Sequence, residues 1–455
     1  MEDDHRMDEE NQDEVDDGGS ERLTEDEILR VIPLEEFLES GGKAAFPDDE
    51  DEDVEGQSTS GQGLPDDSVG TLECHEKDVF AVTTAGSRWM ATGGEDDRAL
   101  LFDLDKSESE PVLEIAHTDS VTHVAFNKSE TLLASGDMSG KIYITDLTTL
   151  QRRIELDDCS DLEWLFWHNA MPGVLFAGDK EGLVWMWLIG QDGAAQSKIF
   201  SAGSDARCTC GVLLPDGKRL LAGYEDGNLR LWSLKDQSHV AHKLPTEVNT
   251  VEVHPSQPMA AAGCISGDVF ILSTGTTDEP TLRRHTRFHP LPPPPKEERM
   301  EDDDPVVDGA NRDDESIDCC VETIAFGGTT PGASAFIAVG RNDGTVAVHN
   351  IDAAAPRFTH RNDSGQAITR VRWCTLGTAV PPRPLLVSAS VDSFVRAHDA
   401  RDGTMIKEVC CAGESVLDMV VLQSDPVCRL LAACSQGAIR VLQIDEEPTA
   451  AAAAQ

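Results

Sequence analysis

Eight copies of one hairpin pattern run through this 455-residue chain, and no other feature limits its fold so sharply. The clearest copy is "LAGYEDGNLRLWSL" at 221–234, where a short apolar run stops at "EDGN" and the alternating Leu229, Leu231 and Leu234 follow. An Asp-Gly step between two such runs predicts a β-hairpin whose two central turn residues take positive φ. The same plan reads in "ATGGEDDRALLFDL" (91–104), "ASGDMSGKIYITDL" (134–147), "FAGDKEGLVWMWLI" (176–189) and "AAGCISGDVFILST" (261–274). It returns in "AVGRNDGTVAVHNI" (338–351), "SASVDSFVRAHDA" (388–400) and "AACSQGAIRVLQI" (432–444).

Successive turn positions, at Asp96, Ser139, Glu181, Asp226, Ser266, Asp343, Asp392 and Gln436, are 43, 42, 45, 40, 77, 49 and 44 residues apart. The one long interval holds a proline-rich and then acidic stretch, and without about 36 linker-like residues it returns to the common period. A repeat of this length with four short strands per unit is the signature of a β-propeller. The expected fold is all-β: an eight-bladed propeller over 68–445, with an insertion at 278–316 between blades 5 and 6. A disordered acidic arm is expected at 1–67 and a disordered tail at 446–455.

Within the second unit, "SVTHVAF", "TLLASGD", "KIYITDL" and "QRRIEL" supply the four strands, and the first three are apolar at most positions. Strands covered on both faces read this way. The eighth unit supplies only three strands, because "RVLQI" runs straight into "DEEPTAAAAAQ". Conversely, "SVGTLE" at 68–73 is an outer strand without inner strands of its own. It is expected to complete the last blade, since closure removes the unpaired sheet edge.

Lys and Arg total 37 against 84 Asp and Glu, a formal charge of −47. Such a chain repels nucleic acid and anionic membrane and favours cationic partners. No apolar run approaches the roughly 20 residues needed to cross a bilayer, and the first residues suit neither a secretory nor a mitochondrial signal. A cytoplasmic monomer, also admitted to the nucleus, is expected, with its twelve cysteines as thiols. Neither the doublets Cys319-Cys320 and Cys410-Cys411 nor the Cys208/Cys210 pair has a partner at zinc-finger spacing, so no metal or other cofactor is expected.

The arm has one apolar island. Residues 1–70 hold 26 Asp or Glu against 4 Lys or Arg, yet "TEDEILRVIPLEEFLE" at 24–39 carries Ile28, Leu29, Val31 and Ile32 behind a capping-box-like Thr24 and Glu27. Two readings stay open: a stretch that docks on its own propeller, or a partner-binding motif.

The spacing, the turns "GGEDD", "DGNLRLW" and "SGKIYITD", and His75 and His117 ahead of inner strands resemble WD40 repeats over about 68–445. The resemblance implies an eight-bladed WD40-type β-propeller, a generic binding platform. The family network of loop His, turn Asp, Ser or Thr, and Trp is incomplete: blade 1 has His75 and Asp96 with Phe102, and blade 4 has Asp226 and Trp232 without the His. Longer strings, "HTDSVTHVAFNKSETLLASGDMSG" and "DLEWLFWHNAMPGVLFAGDKEGLVWMW" among them, resemble the group of angio-associated migratory cell protein. That resemblance implies either a chaperone of a newly made large-subunit ribosomal protein, as for the yeast member, or a role in cell migration and angiogenesis.

In a WD40 propeller, residues just before the turn Asp and at the start of each innermost strand reach one rim of the channel. The resemblance therefore assigns a partner-binding rim to Asp78, Glu95, Glu163, Glu225, Glu247 and Glu322, with Phe80 and Trp164 between them. Carboxylates around one rim attract a basic protein or peptide, and aromatic rings stack on arginine. An acidic chain also places carboxylates at such positions by chance. A ribosomal protein is the expected client; a signalling scaffold and a histone-binding propeller are alternatives. The basic "RRHTRFH" (283–289) reads as an outer strand or as a polyanion site. No Walker loop, His-Glu-x-x-His or Gly-x-Ser-x-Gly motif occurs, which points to binding rather than catalysis.

Overall fold

Each copy of the hairpin forms the second and third strands of a four-stranded antiparallel sheet, and the computed structural model holds eight such sheets. It describes residues 64–106, 110–190, 193–290, 319–328, 330–377, 382–423 and 427–445. The innermost strands are Val79–Ala85, Val121–Phe126, Leu162–Trp167, Cys210–Leu213, Val248–Val253, Val321–Phe326, Ile368–Leu376 and Val416–Gln423. Second strands such as Trp89–Gly94 and Leu132–Asp137 bury every residue, as strands sandwiched between neighbouring blades must. The outermost Gln151–Leu156 is mostly polar and largely solvated.

The ring closes as the repeat count predicts. Gly70–Glu73 pairs antiparallel with Ala438–Ile444, from Gly70 opposite Val441 to Glu73 opposite Ala438, and supplies the fourth strand of blade 8. Residues 66 and 67, placed in the expected arm, belong to the propeller. Asp66 bridges to Cys411 and pairs with Arg440, and the Asp67 N–H donates to the Cys410 carbonyl at 2.9 Å. Likewise the expected insertion at 278–316 starts too early, because Pro280–Phe288 is the outer strand of blade 5. The arm motif of Ile28, Leu29, Val31 and Ile32 and the 446–455 tail lie outside the described residues.

In seven of the eight blades the hairpin turn corrects the expectation of two residues at positive φ; in blade 8 both Gln436 and Gly437 have it. At 224–228 only Gly227 is left-handed, with φ 81°. Its N–H donates to the Tyr224 carbonyl at 2.9 Å, and the Tyr224 N–H donates to the Asn228 carbonyl at 3.0 Å. This is a type I turn completed by one left-handed residue, a three-residue hairpin loop rather than a two-residue one. The aligned residue has positive φ in every blade: Asp97, Gly140, Gly182, Gly227, Gly267, Gly344, Ser393 and Gly437. Six of the eight are glycine, which takes this conformation without a Cβ penalty.

Two blades carry a buried histidine network. His75 bonds Asp96 at 2.8 Å and Thr92 at 2.8 Å, with buried Phe102 in place of the family tryptophan. In blade 2, His117 bonds Ser135 at 2.8 Å and Asp137 at 3.2 Å. That aspartate stands two positions before the turn residue Ser139, where blade 1 has Gly94. A Cβ at Gly94 would fall 2.4 Å from the His75 ring, so each blade reaches the histidine from one site or the other.

Candidate functional site

Strand direction decides which side chains share the mouth of the channel. Every innermost strand runs the same way through its blade, and the antiparallel second strand ends where the first begins, as in Val79 opposite Gly94 and Val248 opposite Cys264. The turn after the second strand therefore lies beside the start of the innermost one. One backbone bond fixes this in all eight blades: the first turn residue donates its N–H to a carbonyl just before the innermost strand, from the residue preceding it in seven blades and from three residues ahead, at Arg207, in blade 4. The pairs are Glu95 to Asp78, Met138 to Ser120, Lys180 to Asp161, Glu225 to Arg207, Ile265 to Glu247, Asn342 to Cys320, Val391 to Ala367 and Ser435 to Ser415.

A second device sets the next ring of side chains. The pairing register of the innermost strand shifts at its second residue, leaving Phe80, Glu163, Asn249, Glu322 and Thr369 as bulged residues. A bulged residue is unpaired and its side chain is re-aimed. Here it reaches around the channel: Asn249 donates to the Val321 carbonyl at 2.9 Å, and Thr369 donates to the Val416 carbonyl at 2.9 Å. Each of these bonds joins one blade to the next.

The six sequence-predicted carboxylates all fall in these two rings, at the same end of the channel. They are not spread evenly. Glu163, Glu225, Glu247 and Glu322 form an arc over blades 3 to 6, while Asp78 and Glu95 sit apart in blade 1. Blade 2 between them presents Ser120, Met138 and Thr122, and blades 7 and 8 present Ala367, Val391, Ser415 and Ser435. The expected ring is thus an arc and an outlier.

Arg207, which sequence reasoning missed, stands at the centre of the arc. Its guanidinium lies 3.7 Å from Glu163, 3.6 Å from Glu225 and 3.2 Å from Glu247. Nearby Lys180 pairs with Asp161 at 2.7 Å, and Lys77 lies 3.7 Å from Glu95. One guanidinium among three carboxylates leaves the arc negative. Burial pushes the Glu163 carboxyl up, with Arg207 opposing, and burial also pushes Glu322 up. Asn249 holds Glu322 at 3.4 Å. Asp78 is occupied differently, accepting the Gln436 N–H across the closing seam at 3.0 Å.

The aromatic assignments divide. Phe80 sits half-buried in the bulge ring. Trp164 does not reach the channel surface, because the bulge at Glu163 turns it into the interface between blades 3 and 4. There it is 7% exposed, covers Gly178 and Gly211 so closely that a Cβ on either would lie 2.2 to 2.5 Å from the indole, and donates to the Cys208 carbonyl at 3.0 Å. It is a packing residue, and stacking on a ligand guanidinium is withdrawn. The exposed apolar side chains at the mouth are instead Met138 and Ile265.

Below the mouth the channel carries paired charge. Arg370 donates to Asp418 at 2.6 Å, and Asp418 also accepts the Val82 N–H at 3.1 Å. Deeper, Glu252 faces the field of Arg372, yet burial pushes its carboxyl up to about 7, and burial pulls His123 down to about 4. Among the described residues no group of three or more His, Cys, Asp or Glu side chains is placed to hold a metal ion, and no helix is long and apolar enough to cross a membrane. Burial pushes the Cys210 thiol up to about 12.

Comparisons with known proteins agree with this architecture. The family profile described as "WD domain, G-beta repeat" matches residues 66–103, 109–146 and 196–233. Angio-associated migratory cell protein of Homo sapiens is 32% identical over 365 residues, covering 78% of this chain and 76% of that protein. The protein of Canis lupus familiaris matches to the same extent. Among solved structures, Sqt1 of Saccharomyces cerevisiae superposes with a TM-score of 0.70 at 15% identity, over 84% of this chain and all of that one. Sqt1 of Chaetomium thermophilum, solved bound to the N-terminus of the ribosomal protein L10, has a TM-score of 0.66 at 20% identity, over 83% of this chain and all of that one.

Proposed function

Because this chain belongs to the family of angio-associated migratory cell protein, built of WD40 repeats, we propose that its acidic arc captures a basic protein segment, as an escort of a newly made ribosomal protein. The observation that carries the reading is the imbalance at Arg207, where one guanidinium serves Glu163, Glu225 and Glu247 while Glu322 has no cation within ion-pairing distance among the described residues. A lysine- or arginine-rich segment supplies the missing charge. Field lines focused at a channel mouth also speed its encounter. Likeness to a propeller solved with a ribosomal-protein N-terminus supports the choice of client.

The reading is one of binding by charge complementarity, with no covalent step. Capture of a strongly basic chain before assembly would shield it from RNA, whose phosphates compete for the same cations. The test is fluorescence anisotropy of a basic ribosomal-protein N-terminal peptide across a salt series. Affinity should fall steeply with salt, and Glu163→Lys with Glu225→Lys should weaken binding at least about tenfold at low salt. Salt-independent affinity, or affinity untouched by the double variant, overturns the reading. Salt-insensitive recovery of several unrelated partners would favour a signalling scaffold instead.

A further inference from the structure

A second charged feature lies away from the channel, in the crevice between blades 5 and 6, and its sign is opposite. A cavity of about 160 Å³ opens there between the outer strand Pro280–Phe288 and the strands Thr345–Asn350 and Ala355–Arg361. Arg287, His289, Arg341 and His349 line it, with Phe288 and Pro356 as apolar walls. Ala347 and His349, two residues apart on one strand, face it together.

The polar groups of this cavity are not all satisfied by the chain. Arg287 and His289 are taken by Asp268, at 2.6 Å and 3.0 Å. Arg341 is only 1% exposed and uses its Nε to donate to the Gly267 carbonyl at 3.2 Å, but its Nη2 is buried with no partner. His349 is 5% exposed, stacks on Phe288 with ring centroids 4.2 Å apart, and leaves both ring nitrogens without a partner. An orphaned buried guanidinium N–H and imidazole are costly, so such groups in a cavity imply an occupant.

Their chemistry restricts that occupant. Arg341 only donates, whereas a neutral imidazole donates from one nitrogen and accepts at the other. A protonated phosphoryl group, with acceptor oxygens and one O–H, satisfies both side chains at once. Planar guanidinium forks suit phosphate geometry, and the pairing of Asp268 with Arg287 and His289 limits its repulsion of an anion. Burial acts against the charged form of Arg341, which an anion alongside it would restore. We propose that the crevice between blades 5 and 6 is a phosphoryl-binding site, with Arg341 and His349 as its anchoring groups.

The phosphoryl group can come from inorganic phosphate or from a phosphorylated side chain, and two arms of one experiment separate them. Phosphate is titrated into the full-length protein and followed by ³¹P line broadening and by the unfolding midpoint, against chloride at matched ionic strength. Saturable broadening and a midpoint rise specific to phosphate are expected, and Arg341→Gln should weaken the binding at least tenfold. In the second arm, a phosphoserine peptide that displaces phosphate while its unphosphorylated form does not assigns the site to modified protein; phosphate binding without displacement assigns it to the free ion. The direct titration of the unaltered protein needs no variant to fold. Absence of saturable phosphate binding there shows that the cavity holds water only and overturns the proposal. So does binding unchanged in both Arg341→Gln and His349→Leu once their circular dichroism shows them folded.

Discussion

Arg207 places its Nη2 3.2 Å from Oε1 of Glu247, and the same side chain faces Glu163 and Glu225 from the neighbouring strands. One cation thereby ties together carboxylates of blades 3, 4 and 5. With the Arg207 side chain 41% exposed, each pair contributes little to folding, about 0–1 kcal/mol, because water and salt screen it. What Arg207 sets is the net charge that an incoming basic segment meets.

Replacing Arg207 with alanine should therefore change binding more than stability. The three carboxylates lose their internal cation, so affinity for a basic peptide should rise several-fold at low salt, with a steeper decline as salt increases. The unfolding midpoint should move by no more than about 2 °C. Anisotropy titrations at two ionic strengths decide the matter. Weakened binding would mean that Arg207 serves mainly to hold the arc in shape.

The propeller was legible because its period is set by the turn, and the turn demands at least one left-handed residue per blade. Asp97 and Ser393 satisfy it without glycine, and the repeat still reads through them. The end of the channel at which Glu95 and Glu225 lie was legible too, since antiparallel pairing forces the hairpin turn beside the start of the innermost strand. Arg207 was not, because a search for carboxylates passes over a cation, and its role depends on side chains from two other blades. Trp164 was misread for a local reason: the bulge at Glu163 shifts the inside-outside alternation by one residue, and sequence periodicity carries no mark of it.

That correction has a consequence for Trp164. An indole packed against Gly178 and Gly211, with its N–H on the Cys208 carbonyl, belongs to the blade 3 and 4 interface. Trp164→Ala should cost about 3–5 kcal/mol through the cavity it opens. Trp164→Phe should cost less and leave the affinity for a basic peptide within about twofold of the parent. Urea unfolding and anisotropy on the same preparations test the pair. A large loss of affinity in the phenylalanine variant would return Trp164 to the binding surface.

Glu252 makes stability depend on pH in a defined direction. Burial raises its carboxyl from 4.5 to about 7, with Arg372 opposing. Between these values the folded chain keeps a proton that the unfolded chain releases. Its contribution is therefore fully present below pH 4.5 and is lost as pH rises through about 7. Glu252→Gln removes this loss. After discounting for water in the channel, the variant should be more stable than the parent by about 2 kcal/mol at pH 8, with the difference shrinking toward pH 5. Denaturant unfolding at the two pH values measures it, and a pH-independent difference would reject the assignment.

Asp418 tests how the ring is held shut. Its carboxylate accepts from Arg370 of blade 7 at 2.6 Å and from the Val82 N–H of blade 1 at 3.1 Å, so one buried side chain of blade 8 binds both neighbours. The outer seam is already zipped by Gly70–Glu73, which leaves Asp418 to secure the inner edge of the same closure. Removing it leaves the Arg370 guanidinium, 40% exposed, to water and salt, and strands the buried Val82 N–H. Asp418→Ala should lower stability by about 1–3 kcal/mol, most of it from the stranded Val82 N–H. Asp418→Leu combined with Arg370→Met should recover part of that loss, because no charge is then left unpaired and the apolar pair packs in its place. The recovery is the informative measurement: if the double variant is as unstable as Asp418→Ala, the bond to Val82, and not the ion pair, closes the inner seam.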